Sequence, residues 1–207
     1  MASVMRYSSE VIFIFGSLLW LSQFRYAENV YNYEDQKNIT RPFKIHVHRM
    51  LCIETPYKES ILLECRLIFR RNQRSLLYVS LTVPRAYNYV LIQFRLHYKF
   101  TTYKTFLIDG QTEGCAYMRN QKNDPILSYM YGVLKDLLPS VVQPCPYGNT
   151  TYSEMFELKE EHAPLSVPAG EYRMDIRFST RANVTIFSLQ LFFAIRRKGI
   201  FGSMLEW

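Results

Sequence analysis

The sequence lacks most of what a membrane-spanning or multidomain protein needs. Beyond residue 27 it contains no apolar run near the length of about 20 residues that a transmembrane helix requires. It also has no linker rich in proline, glycine or serine, and its 8 glycines and 9 prolines are spread along the chain. We therefore predict one domain, which is long enough to bury a sizeable core.

Motifs of catalysis are absent as well. The sequence has no Gly-x-Ser-x-Gly elbow, His-Glu-x-x-His motif or glycine-rich phosphate loop, so no enzyme and no cofactor are predicted. His46 and His48 would point to the same face of a predicted strand, as two metal ligands would, but the sequence does not identify a third ligand. A solvent face is the simpler interpretation, and the same holds for Glu157, Glu160 and Glu161. No metal site is predicted.

Cysteines are few, at 4 in 207 residues, and no two of them form a close Cys-x-x-Cys pair. This spacing argues against structural zinc and favours disulfides. Three connectivities are possible, and the short closures Cys52–Cys65 and Cys115–Cys145 are predicted. The first would join neighbouring strands across a turn, and the second would close a loop around a helix. Disulfides indicate an oxidising compartment.

The N-terminal residues agree with an extracellular location. Arg6 precedes the apolar run 11–21, and Ala27 offers a small residue at a cleavage point. Residues 1–27 are therefore predicted to be a cleaved signal peptide, with an uncleaved signal anchor as the alternative. Three glycosylation sequons follow, at Asn38, Asn149 and Asn183.

The chain is basic, with 25 lysines and arginines against 18 acidic residues. Outside the cell this charge favours acidic partners such as anionic head groups or sialylated glycans, whereas nucleic acid is excluded by location. The basic clusters 70–74 and 196–198 are the candidate contributors. A solvated turn and a solvated tail are the plainer interpretations of these clusters.

Apolar and polar side chains alternate from Ile45 onward, which is typical of half-buried β-strands. In the run 61–69 the odd-numbered residues are apolar and are predicted to face the core, and Pro84 is predicted to end the next strand. The spacing of the strands predicts an all-β fold, an antiparallel immunoglobulin-like β-sandwich. Strands are predicted at 61–69, 77–83, 90–96, 172–178 and 184–195.

One segment has a helical period instead. Apolar residues recur at spacings of three and four from Ile126, with Pro125 at a tolerated first-turn position and Pro139 ending the run. We predict one short amphipathic helix across an open end or edge of the sheets. Plain core packing and a lid over a cavity are both consistent with this pattern.

The order of several landmarks resembles an insect family of secreted domains of unknown function that includes CheB-type chemosensory proteins. These landmarks are Cys52, Cys65-Arg66-Leu67, the stretch 106–109 leading to Cys115, Cys145-Pro146-Tyr147, and Pro168-Ala-Gly-Glu-Tyr172. That family is in turn similar to the ML (MD-2-related lipid-recognition) superfamily. The resemblance implies a β-sandwich whose sheets part to hold lipid.

With the helix placed inside the second disulfide loop, the resemblance implies a ligand pocket between the helix and a late strand. Its hypothetical lining is Ile126, Met130, Leu134, Tyr172, Met174, Ile176 and Phe178. The predicted organisation is a signal peptide (1–27), an N-terminal extension (28–42), an ML-like β-sandwich domain (43–198) and a C-terminal tail (199–207).

The predicted function is that of a secreted protein that binds a lipid or a hydrophobic small molecule, a semiochemical, in chemosensation. A membrane receptor is a further candidate partner. The alternative is a ligand-free extracellular interaction module that binds a receptor or an acidic glycan.

Overall fold

The computed structural model describes residues 33–120 and 124–199, and the predicted signal peptide lies outside these ranges. Within them no helix is long and apolar enough to cross a membrane. Eight strands form two sheets, of five strands (order β1-β8-β7-β4-β5) and three strands (order β2-β3-β6), and every pairing is antiparallel. The strands are β1 (Phe43–Cys52), β2 (Ile61–Ile68), β3 (Leu76–Tyr87), β4 (Leu91–Lys99), β5 (Tyr103–Glu113), β6 (Tyr147–Phe156), β7 (Gly170–Ser179) and β8 (Thr185–Arg197).

The predicted all-β sandwich is confirmed by this arrangement. One half of its core is solidly packed, because inward-facing residues of β1, β7 and β8 meet Leu77 of β3 and Val167 there. Phe43 and Tyr172 are fully buried, and the rings of Tyr172 and Phe193 stack with centroids 5.5 Å apart. The alternation that the sequence shows in these strands therefore corresponds to a real inner face.

In the described part of the chain, three short α-helices accompany the sheets, namely α1 (Tyr33–Lys37), α2 (Gly114–Arg119) and α3 (Pro125–Leu137), together with one 3-10 turn (Glu160–His162). Helix α3 agrees with the predicted helix to within one residue. Asp124 caps it, since its Oδ1 accepts hydrogen bonds from the backbone N–H groups of Ile126 (2.9 Å) and Leu127 (3.0 Å). The buried face of α3, at Tyr129, Met130 and Val133, covers the part of the large sheet that the small sheet leaves bare.

Both predicted disulfides, Cys52–Cys65 and Cys115–Cys145, are present. The first joins β1 of the large sheet to β2 of the small sheet, so it links facing sheets and not hydrogen-bonded neighbours. The second connects the first turn of α2 to the segment just before β6, and helix α3 lies in the loop that it closes.

Strand β2 differs from the prediction that all its odd-numbered residues face the core. A β-bulge shifts the pairing between Leu62 and Glu64, which turns the first part of the strand over. Leu62 consequently packs inside, whereas Leu63 is 54% exposed, and Ile61 and Phe69 are exposed as well.

Strand β3 runs through Pro84 and ends at Tyr87, so the prediction that Pro84 ends it was wrong. The pairing with β6 is irregular between Val83 and Ala86. Proline has no backbone N–H to donate, and it is tolerated there because the bulge already interrupts the hydrogen bonds between the two strands. Strands β5 and β6 and the short helices α1 and α2 were not predicted.

Candidate functional site

A cavity of about 120 Å³ lies between the two sheets, in the half of the core away from Tyr172. Strand β3 lines it with Val79, Leu81 and Val83, and the large sheet faces these residues with Phe178, Phe187 and neighbouring apolar side chains. The third wall comes from the end of helix α3 and the segment after it, through Leu134, Leu138, Val141 and Val142. The cavity therefore lies where two sheets and a helix meet. The side chains of a strand repeat every two residues and those of a helix every 3.6 residues, so the two surfaces do not interlock regularly there.

Three polar side chains in the lining, those of Tyr87, Tyr152 and Glu154, have hydrogen-bond partners within the protein. Glu154 Oε1 accepts a hydrogen bond from the backbone N–H of Ser140 at 2.9 Å, which ties the segment after α3 to β6. The hydroxyl oxygen of Tyr152 accepts from the backbone N–H of Gly148 at 2.9 Å. Glycine is required at 148, because φ is +96° and an added Cβ would lie 2.0 Å from the carbonyl oxygen of Arg85.

Two tyrosines of the site, Tyr87 and Tyr147, are held neutral. Burial, followed by the hydrogen bond to Glu59, raises the pKa of Tyr87 to about 12. Burial is also the main cause that raises the pKa of Tyr147 to about 12. An almost entirely apolar lining with neutral hydroxyls suits an uncharged, apolar ligand.

Two of the seven predicted pocket residues, Leu134 and Phe178, line this cavity. Met130 and Leu134 line a second, smaller cavity of about 40 Å³ beneath helix α3. The remaining four residues line neither cavity: Ile126, Tyr172, Met174 and Ile176.

The position of each of these four residues has a structural reason. Ile126 is 39% exposed on the outer face of α3. Tyr172 is fully buried in the packed half, where its hydroxyl donates to the carbonyl oxygen of Pro168 at 2.8 Å. Met174 and Ile176 are partly buried and pack against the hydrophobic cluster that includes the buried face of the helix.

The sequence did contain a signal for part of the missed lining. Val79, Leu81 and Val83 belong to the alternation of the predicted strand 77–83, and their inner face could have been assigned to the pocket. Strand β6 gave no such signal, because its inward positions include the charged Glu154, which hides the period of two.

A cluster of polar side chains holds helix α3 from its other side. Asp136 accepts hydrogen bonds from Lys37 Nζ (2.5 Å), Tyr33 Oη (3.2 Å) and His162 Nε2 (2.9 Å). The other ring nitrogen of His162, Nδ1, accepts from the backbone N–H of Lys159 at 3.0 Å, so Nε2 carries the proton. We name Tyr33, Lys37, Asp136 and His162 the Asp136 cluster.

The pKa values of this cluster follow from its partners. Burial lowers the pKa of His162 and outweighs the opposing effect of the Asp136 carboxylate. Burial would raise the pKa of Asp136, but the hydrogen bonds from Lys37 and His162 bring it down to about 2.

The same residues raise the question of a metal site, since side-chain atoms of Asp136, Glu161 and His162 that could coordinate a metal ion lie within 4.8 Å of one another. Because both nitrogens of His162 already have hydrogen-bond partners and Lys37 contacts the carboxylate, we interpret the cluster as a structural clamp.

The other predicted polar sites are placed as follows. His46 and His48 are exposed on β1, as the solvent-face interpretation expects. The acceptor residues of the three sequons, Asn38, Asn149 and Asn183, are also exposed.

The basic clusters are largely paired within the protein. Arg70 forms an ion pair with Glu157, and Arg74 with Glu160. Arg196 Nη2 lies 2.9 Å from Glu171 Oε1. Neither Glu157 nor Glu160 is therefore a free carboxylate on a solvated loop, and the positive charge of both clusters is partly neutralised.

Comparison with solved structures finds similarity to chicken MD-1 complexed with lipid IVa, at a TM-score of 0.35 and 8% identity, over 78% of this chain and 94% of that chain. A Niemann-Pick type C2 protein from the Japanese carpenter ant is similar at a TM-score of 0.27 and 12% identity, over 72% of this chain and 90% of that chain. The fold is established by the strand pairing described above, independently of these similarities.

A search of curated protein sequences finds no match. The model of one family, described as a protein of unknown function (DUF1091), matches residues 92–174. This match begins in β4, crosses β5, α2, α3 and β6, and ends in β7. It therefore includes Cys115, Cys145 and the whole of the helix that walls the cavity. Over this central part the chain is similar to the DUF1091 family.

Proposed function

We propose that this protein binds a small apolar molecule in the cavity between its sheets. The observation that carries the proposal is the cavity of about 120 Å³ with its almost wholly apolar lining. An engineered apolar cavity of about 150 Å³ stays dry and binds benzene, so a space of this kind accepts a single ring or a short alkyl group. A whole acyl chain or a sterol would require the walls to move.

Leaving such a space empty is unfavourable. Apolar walls without packing partners lose van der Waals contacts, and cavities left by substitutions in protein cores cost about 24 cal/mol per Å³. A ligand that fills it restores the missing contacts, and each buried CH₂ contributes about 0.8 kcal/mol. Binding should therefore stabilise the folded protein measurably.

The size of the cavity favours a small signalling compound over a membrane lipid, and on this ground we propose a semiochemical as ligand and chemosensation as the setting. The two disulfides and the exposed sequons support an extracellular location. The alternative, an interaction module that uses a basic edge, is weakened because Arg70, Arg74 and Arg196 are paired with acidic residues of the same chain.

Thermal unfolding in the presence of benzene and 1-hexanol tests the proposal. Both should raise the Tm of the wild type in proportion to the logarithm of their concentration. Leu134→Trp, which fills the cavity from helix α3, should abolish this shift. Ile126→Trp is the matched control, because it places the same side chain on the exposed face of the same helix.

Two outcomes would contradict the proposal. The first is a wild type whose Tm responds to neither compound. The second is a folded Leu134→Trp variant that keeps the full ligand-induced shift.

A further inference from the structure

The second cavity, of about 40 Å³, lies beneath helix α3 and next to the main cavity. Its own lining includes Phe94 from β4, Met118 from α2, and Leu127 and Met130 from α3. A space of this size exceeds the roughly 10–15 Å³ that one water needs, but an apolar lining offers water few partners. It is thus suited to the end of a hydrocarbon chain.

The two cavities share part of their walls. Ile92, Leu134, Val142 and Tyr147 line both of them. The partition therefore includes side chains from β4, from helix α3, and from the two sides of Cys145. Leu134 is in the last turn of the helix, where the N–H of Leu138 still bonds to its carbonyl oxygen at 2.8 Å, so its backbone is fixed while its side chain has other rotamers.

We propose that the second cavity is a subsite of the ligand site, and that the side chain of Leu134 sets the length of the chain that the site accepts. This inference rests on the proposed function. A flexible alkyl chain that starts in the main cavity can bend past a rotated Leu134 into the second cavity, whereas a rigid ring cannot. The ligand class indicated is a linear, uncharged, medium-length alkyl compound.

A series of linear alcohols measures the length of the site. The affinity of the wild type for 1-hexanol, 1-octanol and 1-decanol, determined by calorimetry, should rise about fourfold for each added methylene while the chain still finds apolar space. Benzene should bind in the main cavity but gain nothing from the second one.

Variants of the second cavity separate the two spaces. Leu127→Phe narrows only the second cavity, since Leu127 does not line the main one. It should lower the affinity for 1-decanol at least tenfold and leave 1-hexanol unchanged. Met118→Phe narrows the same space from helix α2 and serves as an independent variant if Leu127→Phe fails to fold.

A matched pair of leucine-to-alanine variants tests the partition. Leu134→Ala opens the shared wall by removing one of its side chains, whereas Leu138→Ala removes the same number of atoms from the main cavity alone. The ratio of 1-decanol to 1-hexanol affinity should increase severalfold in Leu134→Ala and stay at the wild-type value in Leu138→Ala.

The inference is overturned if folded Leu127→Phe and Met118→Phe keep the wild-type ratios for all three alcohols, or if the two alanine variants behave alike. In those cases short alcohols would still bind in the main cavity, and the proposed function would stand. If the wild type binds neither benzene nor any alcohol, the proposed function fails and this inference fails with it.

Discussion

At the scale of single residues, Asp136 connects parts of the chain that are distant in sequence. Its carboxylate accepts hydrogen bonds from Tyr33 and Lys37 in helix α1 and from His162 near β7. The side chain of His162 is only 1% exposed and that of Asp136 25% exposed, so solvent screens these contacts weakly. Such a cluster stabilises the fold only while all its members are present.

The first prediction concerns this carboxylate. Asp136→Asn keeps the shape of the side chain but replaces the charged acceptor, so His162 and Lys37 lose a charge-assisted hydrogen bond. We expect the free energy of unfolding, measured in urea, to fall by about 2–4 kcal/mol. Asp109→Asn is the control, because its ion pair with Arg95 is more than half exposed and should contribute at most about 1 kcal/mol. Equal effects of the two variants would contradict the clamp.

The second prediction concerns pH. The pKa of His162 is lowered by folding, so below its ordinary value of 6.5 the unfolded chain binds the proton first. Stability should therefore decrease as the pH falls from 7 to 5. A further decrease should follow below pH 4, as Asp136, whose pKa is about 2 in the folded protein, becomes protonated.

Urea unfolding at several pH values measures this dependence. His162→Asn has no group that titrates at that position, so its loss of stability between pH 7 and 5 should be smaller than that of the wild type. His46→Asn, at an exposed position of β1, should behave like the wild type. Identical pH profiles of His162→Asn and the wild type would remove His162 as the cause.

At the scale of elements, helix α3 is positioned by the packing of α1 against it. The ring of Tyr33 lies on the helix at Gly132, where an added Cβ would be 2.7 Å from Tyr33 Cδ1. The same ring meets Tyr129 edge to face, with centroids 5.7 Å apart. Glycine, which is unfavourable within a helix, is thus used here for close contact with α1.

The third prediction follows from this contact. Gly132→Ala raises intrinsic helix propensity by about 1 kcal/mol, but its methyl group would displace Tyr33. We expect a net decrease in the free energy of unfolding. In a Tyr33→Ala background the same change should increase stability, so the sign of the effect reverses. A double-mutant cycle in urea measures this coupling, and additive effects would show that the contact does not matter.

The elements differ in how well the sequence predicts them, for identifiable reasons. Helix α3 has a capping Asp124, Pro125 at its first position and a clear helical period, so its ends were predicted closely. Strand β5 was missed because the bulge that shifts its pairing lies in the apolar run 106–108, where Leu107 has a φ of +62°. A bulge breaks the period of two on which strand prediction depends.

The site was less predictable than the fold. Of the residues predicted to line a pocket, Leu134 and Phe178 line the main cavity, since helix α3 lies inside the loop of the second disulfide and ends beside the sheets. Whether two facing surfaces touch or leave a gap depends on fractions of an ångström in the separation of the sheets, which no pattern of residue types records. Met174 and Ile176 therefore had the right polarity for a pocket and lie in a packed interface.

At the scale of the whole molecule, the fourth prediction is secretion. We expect the chain to be recovered outside the cell, with the signal peptide removed near Ala27 and with glycans on at least one of the exposed residues Asn38, Asn149 and Asn183. Intact-mass measurement before and after enzymatic deglycosylation checks both statements. Recovery of only a full-length, unglycosylated, membrane-bound species would contradict them.

The division of the interior into a solid half and a hollow half has a consequence for how such a protein can diversify. Around Phe43, Tyr172 and Phe193 almost any change of volume would disturb tight packing. Around Leu138 and Val141, which line the cavity, a change of volume alters an existing space. Ligand preference thus depends in part on residues such as Leu138 and Val141, which line the cavity but lie outside the packed cluster, and one scaffold could acquire new specificities by substitutions at such positions.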